Sequence, residues 1–228
     1  MMLAMLVSIA PTATTEGATK QKVVCIDPGH QTRANTGQEP IGPGASTTKY
    51  KVTGGTVGCA THVPEYRLNM RVARKLKKEL KARGYKVIMT RTKNNVNITN
   101  IERAEIANEA KADAFIRIHA NSDSSSSTNG AVTIAPTASN PYMTKKIRKK
   151  SQRFSKLVIN SFCKATGAKN RGVWKTDTMT GINWCKVPVT IIEMGFMSNP
   201  AEDRLMWTDS YQEKMVEGMA NGIDAFLK

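Results

Sequence analysis

Only three histidines occur in the 228 residues, and two of them close apolar runs. Ile26-Asp27-Pro28-Gly29-His30 and Phe115-Ile116-Arg117-Ile118-His119 each read as a strand with an imidazole at its carboxyl end, where sites form in open α/β sheets. Val189-Thr190-Ile191-Ile192-Glu193 repeats the arrangement with a carboxylate, a group costly to bury without a partner. Glu65 opens an amphipathic run behind a long polar stretch. Two imidazoles and one carboxylate are a common protein set for a catalytic Zn²⁺ with an open fourth position. Such an ion acidifies water and polarises a carbonyl. A further carboxylate, not a ligand, would take the proton from water and hand it to a leaving nitrogen. His30, Glu65 and His119 are therefore candidate ligands, and Glu193 the candidate base. The spacing His62-x-x-Glu65 leaves an alternative open. With a distant histidine it is also the ligand pattern of metallocarboxypeptidases, and His62 would then replace His30.

The elements that must position these residues follow from periodicity. Lys22 to Asp27 is a short β-rich run turned by Pro28-Gly29. Residues 31–63 are rich in Gly, Thr, Ser and Pro without a clear period, which predicts a long surface loop. From about Glu65, Leu68, Val72, Leu76 and Leu80 form a helical stripe that Gly84 stops. Tyr85 to Thr90 reads as a strand, and Thr99-x-x-Glu102 as a capping box opening a helix to about Ala110. Strands follow at Ala114–His119 and Ala131–Ala135, separated by a Ser-rich loop. A long helix then carries Phe154, Leu157, Val158 and Phe162 and ends near Gly167. After the strand that ends in Glu193, a final helix presents Val216, Met219, Ile223 and Phe226. This alternation predicts one α/β domain with helices on both faces of a sheet.

Composition narrows the partners. There are 34 Lys and Arg against 18 Asp and Glu, a net charge of +16, which attracts polyanions. Lys145-Lys146-Ile147-Arg148-Lys149-Lys150 is the densest basic run. No nucleic-acid recognition motif accompanies the charge and aromatic content is only 6%, which argues against nucleic acid. Cys25, Cys59, Cys163 and Cys185 are scattered without a C-x-x-C pair, so no disulfide framework is expected. No stretch reaches the roughly 20 apolar residues of a membrane span. Met2 to Ala10 resembles the apolar part of a signal peptide, and Pro11 to Lys20 its cleavage region, although no basic residue precedes them. The reading is an exported protein, with residues 1–20 set apart from a catalytic domain at 21–228.

Four separated motifs carry a family resemblance: Ile26-Asp27-Pro28-Gly29-His30, Pro64-Glu65-Tyr66-Arg67-Leu68-Asn69, Ile116-Arg117-Ile118-His119-Ala120-Asn121 and Val189-Thr190-Ile191-Ile192-Glu193-Met194-Gly195-Phe196. In order and spacing, from Val23 to about Lys228, the chain resembles the zinc-dependent N-acetylmuramoyl-L-alanine amidases called amidase 3. The resemblance implies a mixed, mostly parallel sheet flanked by helices, with His30, Glu65 and His119 on Zn²⁺ and Glu193 as the catalytic carboxylate. It leaves His62 a loop residue. The implied substrate is the peptidoglycan bond between the lactyl group of N-acetylmuramic acid and L-alanine of the stem peptide. Glu39 to Gly44, Arg171 to Trp174 and Trp184 to Pro188 look like the spore-associated members, which act in cortex modification and germination. That implies a place in the cell wall or spore envelope, and a protein partner where wall-binding repeats are lacking. A non-catalytic basic peptidoglycan-binding protein is the rival from another class. Within the site, Asp27 is expected to orient His30 or to cap the Pro28-Gly29 turn. Arg103 is expected in an intrahelical pair with neighbours of Glu102 or in a core ion pair rather than on a substrate carboxylate, and Trp174 and Trp184 in packing rather than in a glycan groove.

Overall fold

The computed structural model describes residues 21–228; the signal-like segment at 1–20 lies outside them. The first strand, β1 (Val23–Pro28), is buried along its whole length, as an interior strand of a parallel sheet must be. Within the expected loop at 31–63 lies an antiparallel ribbon, β2 (Asn35–Pro40) and β3 (Thr48–Val52). It was invisible to periodicity because most of its residues are exposed, so no apolar alternation marks it. The first helix, α1 (Glu65–Ala82), buries Leu68, Val72, Leu76 and Leu80 as the stripe requires. The chain then reverses at Gly84, whose φ of 88° suits a residue without Cβ. After β4 (Lys86–Met89), α2 (Asn100–Glu109) starts at the expected capping box: Thr99 Oγ1 accepts from Glu102 N–H at 3.1 Å, and Glu102 Oε2 accepts from Thr99 N–H at 2.7 Å. Next come β5 (Ala114–Asn121), β6 (Ala131–Ala135) and α3 (Lys145–Thr166), which ends at a left-handed Gly167. Besides the ribbon and the short helix α5 (Pro200–Met206), two elements were not foreseen: the edge strand β7 (Asn170–Lys175) and the one-turn α4 (Thr180–Asn183). Both are too short and too polar to show a period. The chain closes with β8 (Val189–Phe196), α5 (Pro200–Met206) and α6 (Asp209–Leu227).

One six-stranded sheet has the order β4-β1-β5-β8-β6-β7. The first four strands are parallel; β6 runs antiparallel to β8, and β7 parallel to β6. The sheet is thus mixed and mostly parallel. Successive residues of a strand face opposite ways, and β1 accordingly feeds two cores. Val24 and Ile26 join Leu76, Phe154 and Met219 beneath α1, α3 and α6, while Cys25 joins Ala104, Phe115 and Ile182 beneath α2 and α4. Each such large apolar side chain contributes about 1.5–3 kcal/mol of burial. The four cysteines are free thiols. Among the described residues, no helix is long and apolar enough to cross a membrane. Trp184 packs as expected, its Nε1 donating to Pro40 O at 3.0 Å, whereas Trp174 on the edge strand is half exposed.

A buried ion cluster ties the sheet to α2. Asp27 is fully buried and accepts from Arg103 Nη1 at 2.7 Å, from Arg117 Nε at 2.9 Å and from the Thr90 hydroxyl. Arg103 also donates to the carbonyls of Pro28 and His30, and Arg91 to those of Pro28 and Gly29. Asp27 therefore neither orients the His30 ring nor caps the turn; the arginines hold the turn, and Asp27 holds Arg103. Arg103 forms the expected core ion pair.

Burial alone would raise the Asp27 pKa, but the Arg103 and Arg117 charges and the Thr90 hydroxyl outweigh it and hold the carboxyl far below its ordinary value. A depressed folded-state pKa adds stability that is complete above the unfolded value of about 3.9 and is lost as pH falls toward the folded value. Asp27→Asn should therefore cost about 3–5 kcal/mol at neutral pH and flatten the acid limb of stability below about pH 4. Urea denaturation across pH reads both; a cost under about 1 kcal/mol would mean that the arginines find other partners.

Candidate active site

The three ligand candidates come from the ends of three elements. His30 follows β1 with a φ of 57°, unusual for a residue with a Cβ. Its Nδ1 lies 2.8 Å from the Thr53 carbonyl. A carbonyl only accepts, so Nδ1 carries the proton and Nε2 turns its lone pair inward. That Nε2 lies 3.1 Å from Glu65 Oε2, and His119 Nδ1 lies 3.1 Å from both His30 Nε2 and Glu65 Oε1. Glu65, the first residue of α1, is buried, and donors hold both of its oxygens. Oε1 accepts from Asn69 Nδ2 at 3.0 Å and Ala120 N–H at 3.1 Å, and Oε2 from Thr56 N–H at 3.1 Å. Two glycines make room. A Cβ at Gly29 would fall 2.1 Å from His119 Cε1, and one at Gly55 would fall 2.7 Å from Glu65 Oε2.

Atoms so placed could hold a cation at their centre. Burial disfavours a proton on His30, yet the hydrogen bond and the charge of Glu65 outweigh it and raise its pKa. For Glu65, burial is likewise overcome by the two imidazoles, and its carboxyl is held well below the usual range. His119 is pushed down to about 4, chiefly by burial and against the pull of Glu65, so it is neutral at physiological pH. The donor set fits Zn²⁺. All three ligand atoms lie within 4.8 Å of one another, and ligands 2.0–2.2 Å from a tetrahedral ion sit about 3.3–3.6 Å apart.

Glu193 stands opposite His119 in the β5–β8 register. Parallel partners share a face, and both side chains line one cleft of about 430 Å³ with His30. Glu193 Oε2 is shielded from solvent and has no hydrogen-bond partner. Burial, then the negative charge of Glu65, push its pKa up to about 8, against the pull of Arg117. His62 lies in an exposed turn outside the three-residue cluster, so the His62–Glu65 alternative is not assembled.

Sequence reasoning missed the residues that hold the candidates in place. Thr53, Gly55 and Thr56 belong to the stretch read as featureless loop. Asp203 of α5 clamps the next part of that stretch, accepting from Ala60 N–H at 2.8 Å and Thr61 N–H at 2.7 Å. Only Asn69, four residues after Glu65 and so on the same helix face, carried a readable signal.

Comparison with known proteins places this geometry. Residues 24–225 match the family model described as N-acetylmuramoyl-L-alanine amidase. The chain belongs to that family. It is 28% identical over 164 residues to the N-acetylmuramoyl-L-alanine amidase LytC of Bacillus subtilis, covering 72% of this chain and 31% of LytC. It thus spans about a third of that relative's length. The crystal structure of the amidase Ami1 from Mycobacterium abscessus superposes with a TM-score of 0.82 at 26% identity, covering 91% of this chain and 99% of that one. The CwlD amidase from Clostridioides difficile, solved in complex with the GerS lipoprotein, has a TM-score of 0.72 at 24% identity, covering 91% and 98%. The single α/β domain with its mostly parallel sheet is the architecture shared with these amidases.

Gly29→Ala tests the cradle. The added Cβ must displace the His119 ring, so zinc affinity by chelator competition should fall at least tenfold, within the range expected when a ligand loses its support. The urea midpoint of the metal-free protein should move little. Unchanged affinity would remove His119 from the ligand set.

Proposed function

We propose that this chain is a zinc-dependent hydrolase that cleaves the amide between the lactyl group of N-acetylmuramic acid and L-alanine of the peptidoglycan stem peptide. The observation that carries this reading is the meeting of His30, Glu65 and His119 beside the unpartnered carboxyl of Glu193, in a chain of the amidase family. Held by those three side chains, zinc would supply Lewis-acid polarisation of the scissile carbonyl and acidify water. The Thr53 carbonyl fixes the tautomer that leaves His30 Nε2 free as a donor atom. The hydrogen bonds of Asn69, Ala120 and Thr56 keep Glu65 from turning away. Glu193 takes the proton from the attacking water and delivers it to the leaving L-alanine nitrogen. A carboxyl with a proton affinity near neutrality can do both at low cost.

The finer biological reading is also ours. The likeness of Glu39–Gly44, Arg171–Trp174 and Trp184–Pro188 to spore-associated amidases supports a role in cortex modification or germination. The described partner of CwlD, a lipoprotein, supports a protein partner for this chain as well. The proposed substrate and the signal-like sequence at 1–20 support action outside the cytoplasmic membrane, in the wall or spore envelope.

Digestion of purified peptidoglycan by the zinc-loaded protein, with products analysed by mass spectrometry, should yield stem peptides bearing a free N-terminal L-alanine. Single amino acids would instead indicate a carboxypeptidase, and wall binding without products a binding protein. Glu193→Gln should lower turnover about 10²–10⁴-fold with zinc content unchanged. Near wild-type turnover would end the role given to Glu193.

A further inference from the structure

Beyond the three ligand candidates, the cleft continues to a floor that contains Arg117 and Thr180. Arg117 precedes His119 by two residues on β5, on the same face and about 6.7 Å along the strand. It is 4% exposed. Its Nε donates to Asp27 at 2.9 Å and its Nη2 to Asn100 Oδ1 at 2.8 Å, while Nη1 has no hydrogen bond among the described residues. Thr180, the first residue of α4, is also 4% exposed, and its Oγ1 has no partner. Buried polar side chains without partners are rare in folded proteins. Here the Thr180 hydroxyl, buried without a partner, and Arg117, whose Nη1 makes no hydrogen bond among the described residues, line one cleft.

Both are set on rigid supports. A Cβ at Gly181 would fall 1.9 Å from Arg117 Nη1, so the guanidinium packs against a residue that has none. Asn183 of α4 donates to the carbonyls of Asp177 and Ile41, each at 2.8 Å, and accepts from Asn140 at 2.8 Å. The donors are therefore held in place before anything binds, which limits the ordering cost of binding. Two such donors, one of them charged, suit a carboxylate.

The distance selects which carboxylate. An extended chain advances about 3.3–3.6 Å per residue, so a group at Arg117 lies about two residues from an amide held between His119 and Glu193. We propose that Arg117 Nη1 and Thr180 Oγ1 form a carboxylate subsite that reads an acidic group about two residues along the stem peptide from the scissile amide. This rests on the hydrolase reading above and names the specificity of the same cleft.

The test uses two synthetic muramyl peptides, one with that carboxyl free and one with it amidated, and the matching free stem peptides as ligands for calorimetry. Wild-type zinc enzyme should favour the free carboxyl in both kcat/KM and binding. Thr180→Val keeps the shape and removes the hydroxyl. It should weaken binding and raise KM for the free acid about tenfold, with kcat and the amidated series within about twofold. Because the hydroxyl has no partner in the free protein, this variant should melt no lower than wild type, which a structural role would not allow. Gly181→Ala, which must displace the guanidinium, should lose the same discrimination. Equal losses on both series, or none on either, would overturn the subsite. Carboxylate-dependent binding without turnover would keep the subsite and end the hydrolase reading. Turnover indifferent to the carboxyl would do the reverse.

Discussion

A buried carboxylate with two guanidinium groups on it is the constraint around which the site is built. Asp27 sits on β1 between β4 and β5, and it draws one arginine from α2 and one from β5 to the same point. Removing these charges from water is expensive, and their attraction repays it only where every remaining donor is satisfied. Arg103 meets that condition by bonding the carbonyls of Pro28 and His30 and the Gln31 side chain. The backbone leading into His30 is thereby fixed from behind. The same carboxylate fixes Arg117, two residues from His119, so the two histidine-bearing strands share one electrostatic anchor.

From that anchor outward, the site is a sequence of enforced approaches. The sheet register brings His119 beside Glu193, and the turn after β1 brings His30 to His119. Glu65 arrives from α1 with its two oxygens already occupied on their outer sides. What is left facing inward is a set of three donor atoms that could hold a cation. Glu193 completes the contrast. Asp27 and Glu65 have hydrogen-bond partners on both oxygens, while Glu193 keeps an oxygen shielded from water and unbonded, which costs stability.

The parts of this design that were legible in the sequence are those with a period or a position. His30, His119 and Glu193 each close an apolar run, and an apolar run in an α/β pattern is a strand whose carboxyl end is where sites lie. The α1 stripe and the Thr99–Glu102 box were equally plain, because both depend on local spacing alone. The β2–β3 ribbon, β7 and α4 were hidden because they are short and mostly polar or exposed, and they are stabilised by contacts distant in sequence, such as Trp184 to Pro40. The role of Asp27 was misjudged for a related reason. Its place before His30 suggested either an orienting contact or a cap on the Pro28-Gly29 turn, but its partners lie 63, 76 and 90 residues away. Nothing local announces a pairing at that range.

The clamp of α5 on the loop before α1 has a consequence for the life of the chain. Asp203 holds Ala60 and Thr61 across 143 and 142 residues, and Glu193 lies on the last strand to be made. A chain that stops before α5 therefore lacks this clamp on the loop between His30 and Glu65. The loop between His30 and Glu65 is thus braced by a segment that follows every candidate residue in the chain.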